Sequence, residues 1–349
     1  MSALHELEDL ARPVLSAPAY AYISGGAGDG AAIARNRAAW GASLLRPQIG
    51  RQIPALHCGL SLLGTPLEMP VLIAPMAYQR LAHPDGEAGM ARAAAAQGAG
   101  FVLSCQSTQP AEEIAPAPFW FQIYLQPDPE ATQQLALRAL NAGATALVVT
   151  MDAPLNGIRN REIAAGFRLP EDLRPVMLDA LPPPVPQPPP APTVAAILAQ
   201  SSGWEGLAQL CARSTVPVLA KGVLTPEAAR QAMACGCAGV IVSNHGGRVL
   251  EGLPATATAL PAIRAALGQA PVLVDGGIRT GEDVFRARAL GADAVLVGRP
   301  FFYALALEGA MGVARALRRL KDEFAVTMGL MGCARPEEIG PIHLWPMPA

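Results

Sequence analysis

Charged side chains are scarce in this chain. They make up 15% of 349 residues and leave a net charge of −2. No basic stripe is available to follow a phosphate backbone, which argues against nucleic acid as a partner. No apolar run is long enough for a membrane span. Residues 1–10 carry Glu6, Glu8 and Asp9 and lack the basic and apolar regions of a signal peptide, so the expected location is cytoplasmic. Metal-site patterns are missing too. Of Cys58, Cys105, Cys211, Cys235, Cys237 and Cys333, only Cys235 and Cys237 are close, with no second pair to complete a zinc site. The five histidines form no HExxH, and no metal is expected. Apolar residues are plentiful: 51% of the chain is hydrophobic, enough for a large globular core.

From about residue 70, short apolar runs alternate with Ala-rich amphipathic stretches. The runs are Val71–Ala77, Phe101–Ser104, Phe119–Leu125, Ala146–Ala153, Val216–Val223, Gly239–His245, Val272–Ile278 and Ala294–Arg299. The stretches include Asp85–Gln97, Glu130–Ala142, Pro226–Cys235, Ala257–Leu267, Thr280–Leu290 and Phe302–Leu320. Eight buried strands alternating with helices imply an α/β fold, a (β/α)8 TIM barrel rather than an open sheet. Residues 1–69 are expected to cap the barrel, with helices over Ser2–Leu15 and Ala31–Trp40 and extended segments with turns over Arg46–Leu67. Residues 70–349 form the barrel of a single domain. Leu181–Pro192, after strand four, holds eight prolines in twelve residues, so it is extended and stiff, as a linker or part of a lid.

A barrel of this kind carries its active site at the C-terminal ends of its strands. The residues gathered there are Pro75, Met76 and Ala77 from strand one, Ser104 and Gln106 from strand two, and Gln122 and Tyr124 from strand three. Strand four adds Thr150 and Asp152, followed by Arg159, and strand five adds Lys221. Strand six ends in Ser243-Asn244-His245-Gly246-Gly247-Arg248. That segment sets a proton acceptor beside a guanidinium able to grip a carboxylate with two hydrogen bonds. Singly, Tyr124 or Gln122 could be core or edge residues, Ser104 a helix cap, and Asp152 the partner of any surface cation. Together, buried Lys, Arg and Asp need partners, and packing alone does not explain the ring. Asp275-Gly276-Gly277-Ile278-Arg279 and Gly298-Arg299 form glycine-rich turns entering helices, which suit a phosphate. Gly26-Ala27-Gly28-Asp29-Gly30-Ala31 imitates a dinucleotide fingerprint but follows no apolar strand, and is rejected.

These motifs, with Lys221 at the end of strand five and Val297-Gly298-Arg299-Pro300 after strand eight, resemble the FMN-dependent L-2-hydroxy-acid oxidase and dehydrogenase family. That family includes glycolate oxidase, lactate oxidase and mandelate dehydrogenase. The resemblance runs from Tyr20-Ala21-Tyr22 to Met331-Gly332-Cys333, through Ala82-His83-Pro84-Asp85-Gly86-Glu87, Phe121-Gln122-Ile123-Tyr124 and Thr150-Met151-Asp152. It implies FMN as cofactor and oxidation of an (S)-2-hydroxy acid to the 2-oxo acid, with oxygen reoxidising the flavin and forming hydrogen peroxide. Another electron acceptor is the variant reading. It implies His245 as base, taking a proton from the substrate hydroxyl or α-carbon, with Asp152 pairing its imidazolium. Arg248, Arg159 and Tyr22 would hold the substrate carboxylate, and Tyr124 the hydroxyl. Ala77, Ser104, Gln122, Thr150, Lys221 and Ser243 would surround the flavin ring. Asp275, Gly277, Arg279, Gly298 and Arg299 would hold the ribityl phosphate. The resemblance also implies a homotetramer.

The chain departs from its family in places. Gln106 stands where relatives commonly carry a bulky aromatic over the substrate, and Asn156 where glycolate-type relatives often have leucine. Both are expected at the pocket mouth, and both leave the substrate's side chain open. Val249 and Glu251 replace the usual Gln and Asp and are expected to be tolerated. Competing classes are an FMN-dependent isomerase or an IMP dehydrogenase-like enzyme on a related barrel, and a non-catalytic flavoprotein. The IMP dehydrogenase type needs a loop cysteine nucleophile with no clear candidate here. A non-catalytic protein has no reason to keep Tyr22, Tyr124, Asp152, Arg159, His245 and Arg248 together.

Overall fold

The computed structural model describes residues 2–114, 118–181 and 193–346. The proline-rich stretch lies outside the described residues except for Leu181. Eight parallel strands close into a barrel: β3 (Val71–Ile73), β4 (Gly100–Ser104), β5 (Phe119–Ile123), β6 (Ala144–Thr150), β7 (Val218–Val223), β8 (Gly239–Val242), β9 (Val272–Asp275) and β10 (Ala294–Val297). They follow β1 (Leu60–Leu62) and β2 (Thr65–Leu67), an antiparallel hairpin. Closure is made by β10 pairing with both β9 and β3, Val295 opposite Val274 on one side and Val71 on the other.

Strand side chains alternate, and the barrel sorts them into two cores. Leu72, Val102, Trp120, Val148, Leu219, Ile241, Leu273 and Leu296 fill the interior. Leu62 and Leu67 of the hairpin join them, and Trp120 Nε1 donates to Thr65 Oγ1 at 3.0 Å, so the hairpin stops one end of the barrel. The alternate residues, such as Ile73, Leu103, Phe121, Val149 and Val242, pack outward in the larger cluster with the surrounding helices.

All eight expected strands form, but six end early: the first at Ile73, not Ala77, the third at Ile123, not Leu125, the fourth at Thr150, not Ala153, the sixth at Val242, not His245, the seventh at Asp275, not Ile278, and the eighth at Val297, not Arg299. The expected runs extended into segments that leave the ladder to make the mouth. Helices Gly86–Gln97, Pro129–Asn141, Pro226–Ala234, Thr256–Leu267 and Gly281–Ala289 fall where expected. The helix expected over Phe302–Leu320 spans Arg299–Leu330, broken at Glu308 and Gly309, where Gly309 has φ +57°. Asp85 accepts from the N–H of Ala310 and restarts it. Helices Ala17–Ser24, Asn160–Ala164 and Gly203–Arg213 were not anticipated, and Ser2–Leu15 yields only Leu7–Ala11. Helix Ala31–Ala42 lies against the turns after β8 and β9, where Asn36 and Asn244 exchange two 2.8 Å side-chain hydrogen bonds. Among the described residues no helix is long and apolar enough to cross a membrane.

Candidate active site

Two adjoining clefts open at the C-terminal mouth of the barrel. The first is lined by Ala74 to Ala77, Lys221, Asp275 to Arg279, Leu296 to Arg299 and Phe302. The second is lined by Tyr78, Gln106, Tyr124, Ala153 to Arg159, Glu162, Phe167 and Val249. Tyr22, His245 and Arg248 line both, so they stand where the clefts meet.

His245 is held there by an unusual backbone. It has φ +58°, followed by Gly246 at +61° and Gly247 at +77°. A non-glycine residue in this region costs about 1–3 kcal/mol, which the surroundings must offset. Ser243 Oγ accepts from the N–H of His245 at 3.0 Å, and Asn244 Oδ1 accepts from that of Gly247 at 3.1 Å. His245 Nδ1 lies 3.0 Å from Asp152 Oδ1. Burial is the largest influence on the imidazole and pushes it below its ordinary value. The Asp152 hydrogen bond opposes this, and the Lys221 ammonium adds to the lowering. The resting ring is therefore neutral near pH 7. Burial works against the charge of Asp152, but the His245 hydrogen bond and Lys221 outweigh it and hold the carboxyl below its ordinary value. With Nδ1 engaged by an anion, Nε2 is the ring nitrogen available as base.

Lys221 Nζ donates to Ser243 Oγ at 3.0 Å and lies 3.2 Å from Asp275 Oδ2. Burial disfavours its charge, yet Asp275 and Asp152 raise it, and it stays an ammonium. Ser243 does not line either cleft; it ties Lys221 to the His245 turn. Ser104, Gln122 and Thr150 form a buried chain across three strand ends, Ser104 Oγ to Gln122 Oε1 and Gln122 Nε2 to Thr150 Oγ1, each 3.0 Å. That chain leaves the Thr150 hydroxyl proton free to donate.

The turn after β9 has Gly276 at φ +91° and Gly277 at +88°. Its carbonyls are pinned to helix Ala31–Ala42: Trp40 Nε1 donates to Gly276 O at 2.8 Å and Arg37 Nη1 to Gly277 O at 3.1 Å. Each peptide's N–H is antiparallel to its C=O, so the N–H groups of Gly277 and Ile278 face away from that helix. A Cβ on Gly277 would stand 2.6 Å from Asn36 O, so glycine is required. A Cβ on Gly298 would meet Met76 and Ala74 only at ordinary contact distance, so it would fill the cleft and not collide with the fold. Arg279 lines the same cleft. Burial, helped by Arg37, lowers its pKa to about 10, so it remains a cation at neutral pH. Arg299 lines this cleft as well, and it also donates to the carbonyls of Ile23, Gly246 and Gly25, clasping the N-terminal segment to the mouth.

The second cleft is built from distant pieces. Arg248 Nη1 donates to Tyr22 O at 2.7 Å and Gly25 O at 3.0 Å, and its guanidinium lies 4.9 Å from the centre of the Tyr22 ring. Phe167 stacks on Tyr22 at 4.6 Å and 20°. Tyr78, at φ +57°, approaches Tyr22 to 6.1 Å and donates its N–H to Gln106 O at 3.2 Å. Burial raises the Tyr22 pKa to about 12 and pushes that of Tyr124 upward, so both phenols keep their protons. Arg159 Nη2 donates to Asn156 Oδ1 at 2.9 Å. Glu162, Tyr78 and Phe167 were not anticipated as site residues. The i,i+3 spacing of Arg159 and Glu162 is the one local signal. Glu251 also proves more than tolerated. Its Oε1 accepts from the N–H groups of Asp29 and Ala31 at 2.9 Å each and caps helix Ala31–Ala42. The glycines before that helix serve this turn, with Gly30 at φ +92°.

The cysteines offer no nucleophile here. Cys105, beside Gln106, is buried, and burial raises its pKa to about 12. Among the described residues no group of three or more His, Cys, Asp or Glu could hold a metal ion.

The described atoms suit a flat, phosphate-bearing group. Asp275 Oδ1 is buried without a hydrogen-bond partner, the N–H groups after β9 are turned from the scaffold, and Arg279 and Lys221 supply fixed cations. Comparison with known proteins agrees. An L-lactate oxidase of Roseobacter sp. (strain GAI101) is 50% identical over 333 residues, 94% of this chain and 90% of the relative. Glycolate oxidase 1 of Zea mays is 41% identical, covering 97% of this chain and 94% of the relative. A crystal structure of mandelate oxidase with benzoyl-formic acid matches with a TM-score of 0.88 at 38% identity, over 97% of this chain and 96% of that one. The model of the FMN-dependent dehydrogenase family matches residues 11–346, and the chain belongs to that family.

Proposed function

We propose that this protein oxidises an (S)-2-hydroxy acid to the 2-oxo acid, with oxygen as the final acceptor and hydrogen peroxide as product. The observation that carries the reading is the neutral His245 ring paired with the Asp152 carboxylate at the junction of the two clefts, beside Arg248. Bound FMN supplies the two-electron acceptor for the substrate and the route for those electrons to oxygen. The protein residues do the rest. His245 Nε2 takes the proton released as the carbinol is oxidised, and Asp152 stabilises the resulting imidazolium. Arg159, whose Nε is buried without a partner, and Arg248 bind the substrate carboxylate. Tyr22 and Tyr124, protonated throughout the neutral range, donate to carboxylate and hydroxyl. Gln106 and Asn156 border the substrate's side chain together with Tyr78. Oxygen as acceptor accords with the oxidase names of the relatives.

Lys221, which lines the first cleft, would offer the flavin ring a fixed ammonium that favours negative charge there. Ala77, with the Ser104, Gln122 and Thr150 chain, would border the ring, and Gly277, Gly298, Arg279 and Arg299 would hold the phosphate. The expectation that Asp275 holds the phosphate is revised. A carboxylate repels a phosphate, whereas its free Oδ1 suits a ribityl hydroxyl. Ser243 acts behind this layer, positioning Lys221 and His245, while Arg299 both lines the cleft and holds the N-terminal segment. A homotetramer is proposed from the family resemblance; light scattering of the purified protein tests it.

The function is tested by recording the visible spectrum and adding L-lactate, glycolate, (S)-mandelate and longer 2-hydroxy acids without oxygen. Loss of the flavin band with one of them, then peroxide on readmitting air, is expected. A protein that cannot be loaded with FMN, or whose flavin none of them bleaches, overturns the reading.

A further inference from the structure

We propose that Glu162 sets the charge of the substrate site and so restricts it to 2-hydroxy acids with a single carboxylate. The inference rests on the assignment of the second cleft to the substrate. The only formally charged residues lining that cleft, among those described, are Arg159, Arg248 and Glu162, and His245 is neutral at rest. Their sum is one positive charge, which one carboxylate cancels.

Glu162 is placed for this role. Its Oε1 accepts from Arg248 Nη2 at 2.9 Å and from Arg159 Nη1 at 3.1 Å, and its Oε2 accepts from Arg159 Nη1 at 2.9 Å. The side chains of Arg159, Glu162 and Arg248 are 15%, 12% and 17% exposed, so solvent screens the triad weakly. Glu162 is not needed to fasten its own segment. The N–H of Gly28 donates to Ile158 O at 2.8 Å, that of Asn160 to Gly28 O at 3.3 Å, and Asn160 Nδ2 to Asp29 Oδ1 at 2.8 Å. Its bonds instead take up N–H groups of two guanidiniums that would otherwise face the cleft as two like charges. Arg159 Nε remains without a partner, available to an incoming carboxylate. A second carboxylate on the substrate would leave the site with a net negative charge beside Glu162, at low exposure.

The experiment compares kcat/KM for L-lactate and L-malate, both (S)-2-hydroxy acids, the second a dianion at pH 7. Glu162→Gln raises the site to two positive charges. We expect the lactate-to-malate ratio to fall by about tenfold, equivalent to ~1.4 kcal/mol. Glu162→Asp is expected to keep the wild-type ratio. A ratio is insensitive to the fraction of active protein, so a general loss of packing does not imitate the effect. Binding gives a second readout: the affinity for oxalate relative to acetate, from perturbation of the flavin band, should rise in Glu162→Gln. Asn156→Asp tests the charge count independently. It keeps an acceptor for Arg159 but brings the site to zero, and it should raise KM for L-lactate more than it lowers kcat. An unchanged lactate-to-malate ratio in Glu162→Gln, or an unchanged KM in Asn156→Asp, overturns the proposal. Failure of every 2-hydroxy acid to bleach the wild-type flavin overturns the substrate assignment instead, so the two failures are told apart.

Discussion

The two clefts share three residues but are made differently. The first is built from the ends of adjacent strands β9 and β10, whose register is fixed by the barrel ladder, and from glycine turns locked to helix Ala31–Ala42. Its parts are short contiguous motifs. The second is assembled from Tyr22, the segment 153–169 and Arg248, which meet through contacts spanning 86 to 226 residues. The first is a rigid cradle whose geometry comes from backbone. The second is a charge and ring assembly whose geometry comes from side chains. Substitutions in the first should therefore change whether cofactor is held, and those in the second which acid is turned over.

The sharpest break between the two comes at their junction. His245→Ala should lower kcat by on the order of 10³-fold while the protein keeps its yellow flavin, seen by stopped-flow reduction alongside the absorption spectrum. Gly277→Ala should do the reverse. Its Cβ at 2.6 Å from Asn36 O, in a backbone with φ +88°, costs about 1–3 kcal/mol of local strain, and the protein should purify with its FMN depleted. Retained, tightly bound FMN would break the contrast between the clefts.

Next in size is Asp152→Asn, which removes the anion holding the His245 ring. A loss in kcat on the order of 10²-fold is expected. The pH dependence sharpens this. The base must be neutral, so kcat/KM falls as pH falls through its pKa, which burial holds below the ordinary 6.5. The wild-type acid limb should lie below that value. In Asp152→Asn it should move lower still, because the group that raises the histidine's proton affinity is gone. An upward movement would contradict the electrostatic account. The smallest effect belongs to Glu251→Ala, which uncaps helix Ala31–Ala42 behind the cradle. It should destabilise the fold by about 1 kcal/mol, measured by thermal unfolding, with little change in kcat.

The barrel was legible because each strand is a buried apolar run and each neighbouring helix an amphipathic one, patterns that local sequence carries in full. The cradle was legible for a related reason: Asp275-Gly276-Gly277 is a local backbone requirement. Strand ends were overestimated because apolar character continues past the last strand residue, Ile73, into Ala74 and Pro75. Glu251 was passed over because its partners, Asp29 and Ala31, lie more than two hundred residues away.

By itself the sequence determined the count of barrel strands, the identity of the chemical groups at their ends, and the demand for glycine after β9, since these depend on periodicity and on backbone sterics. Only the tertiary structure decided which groups line each cleft and with what charge. It set Ser243 behind Lys221, tied Arg299 to the N-terminal segment, placed Tyr78 beside Gln106, and brought Glu162 between Arg159 and Arg248. Net charge in a cleft is a property of distances across the fold, and those distances exist only once the barrel has closed.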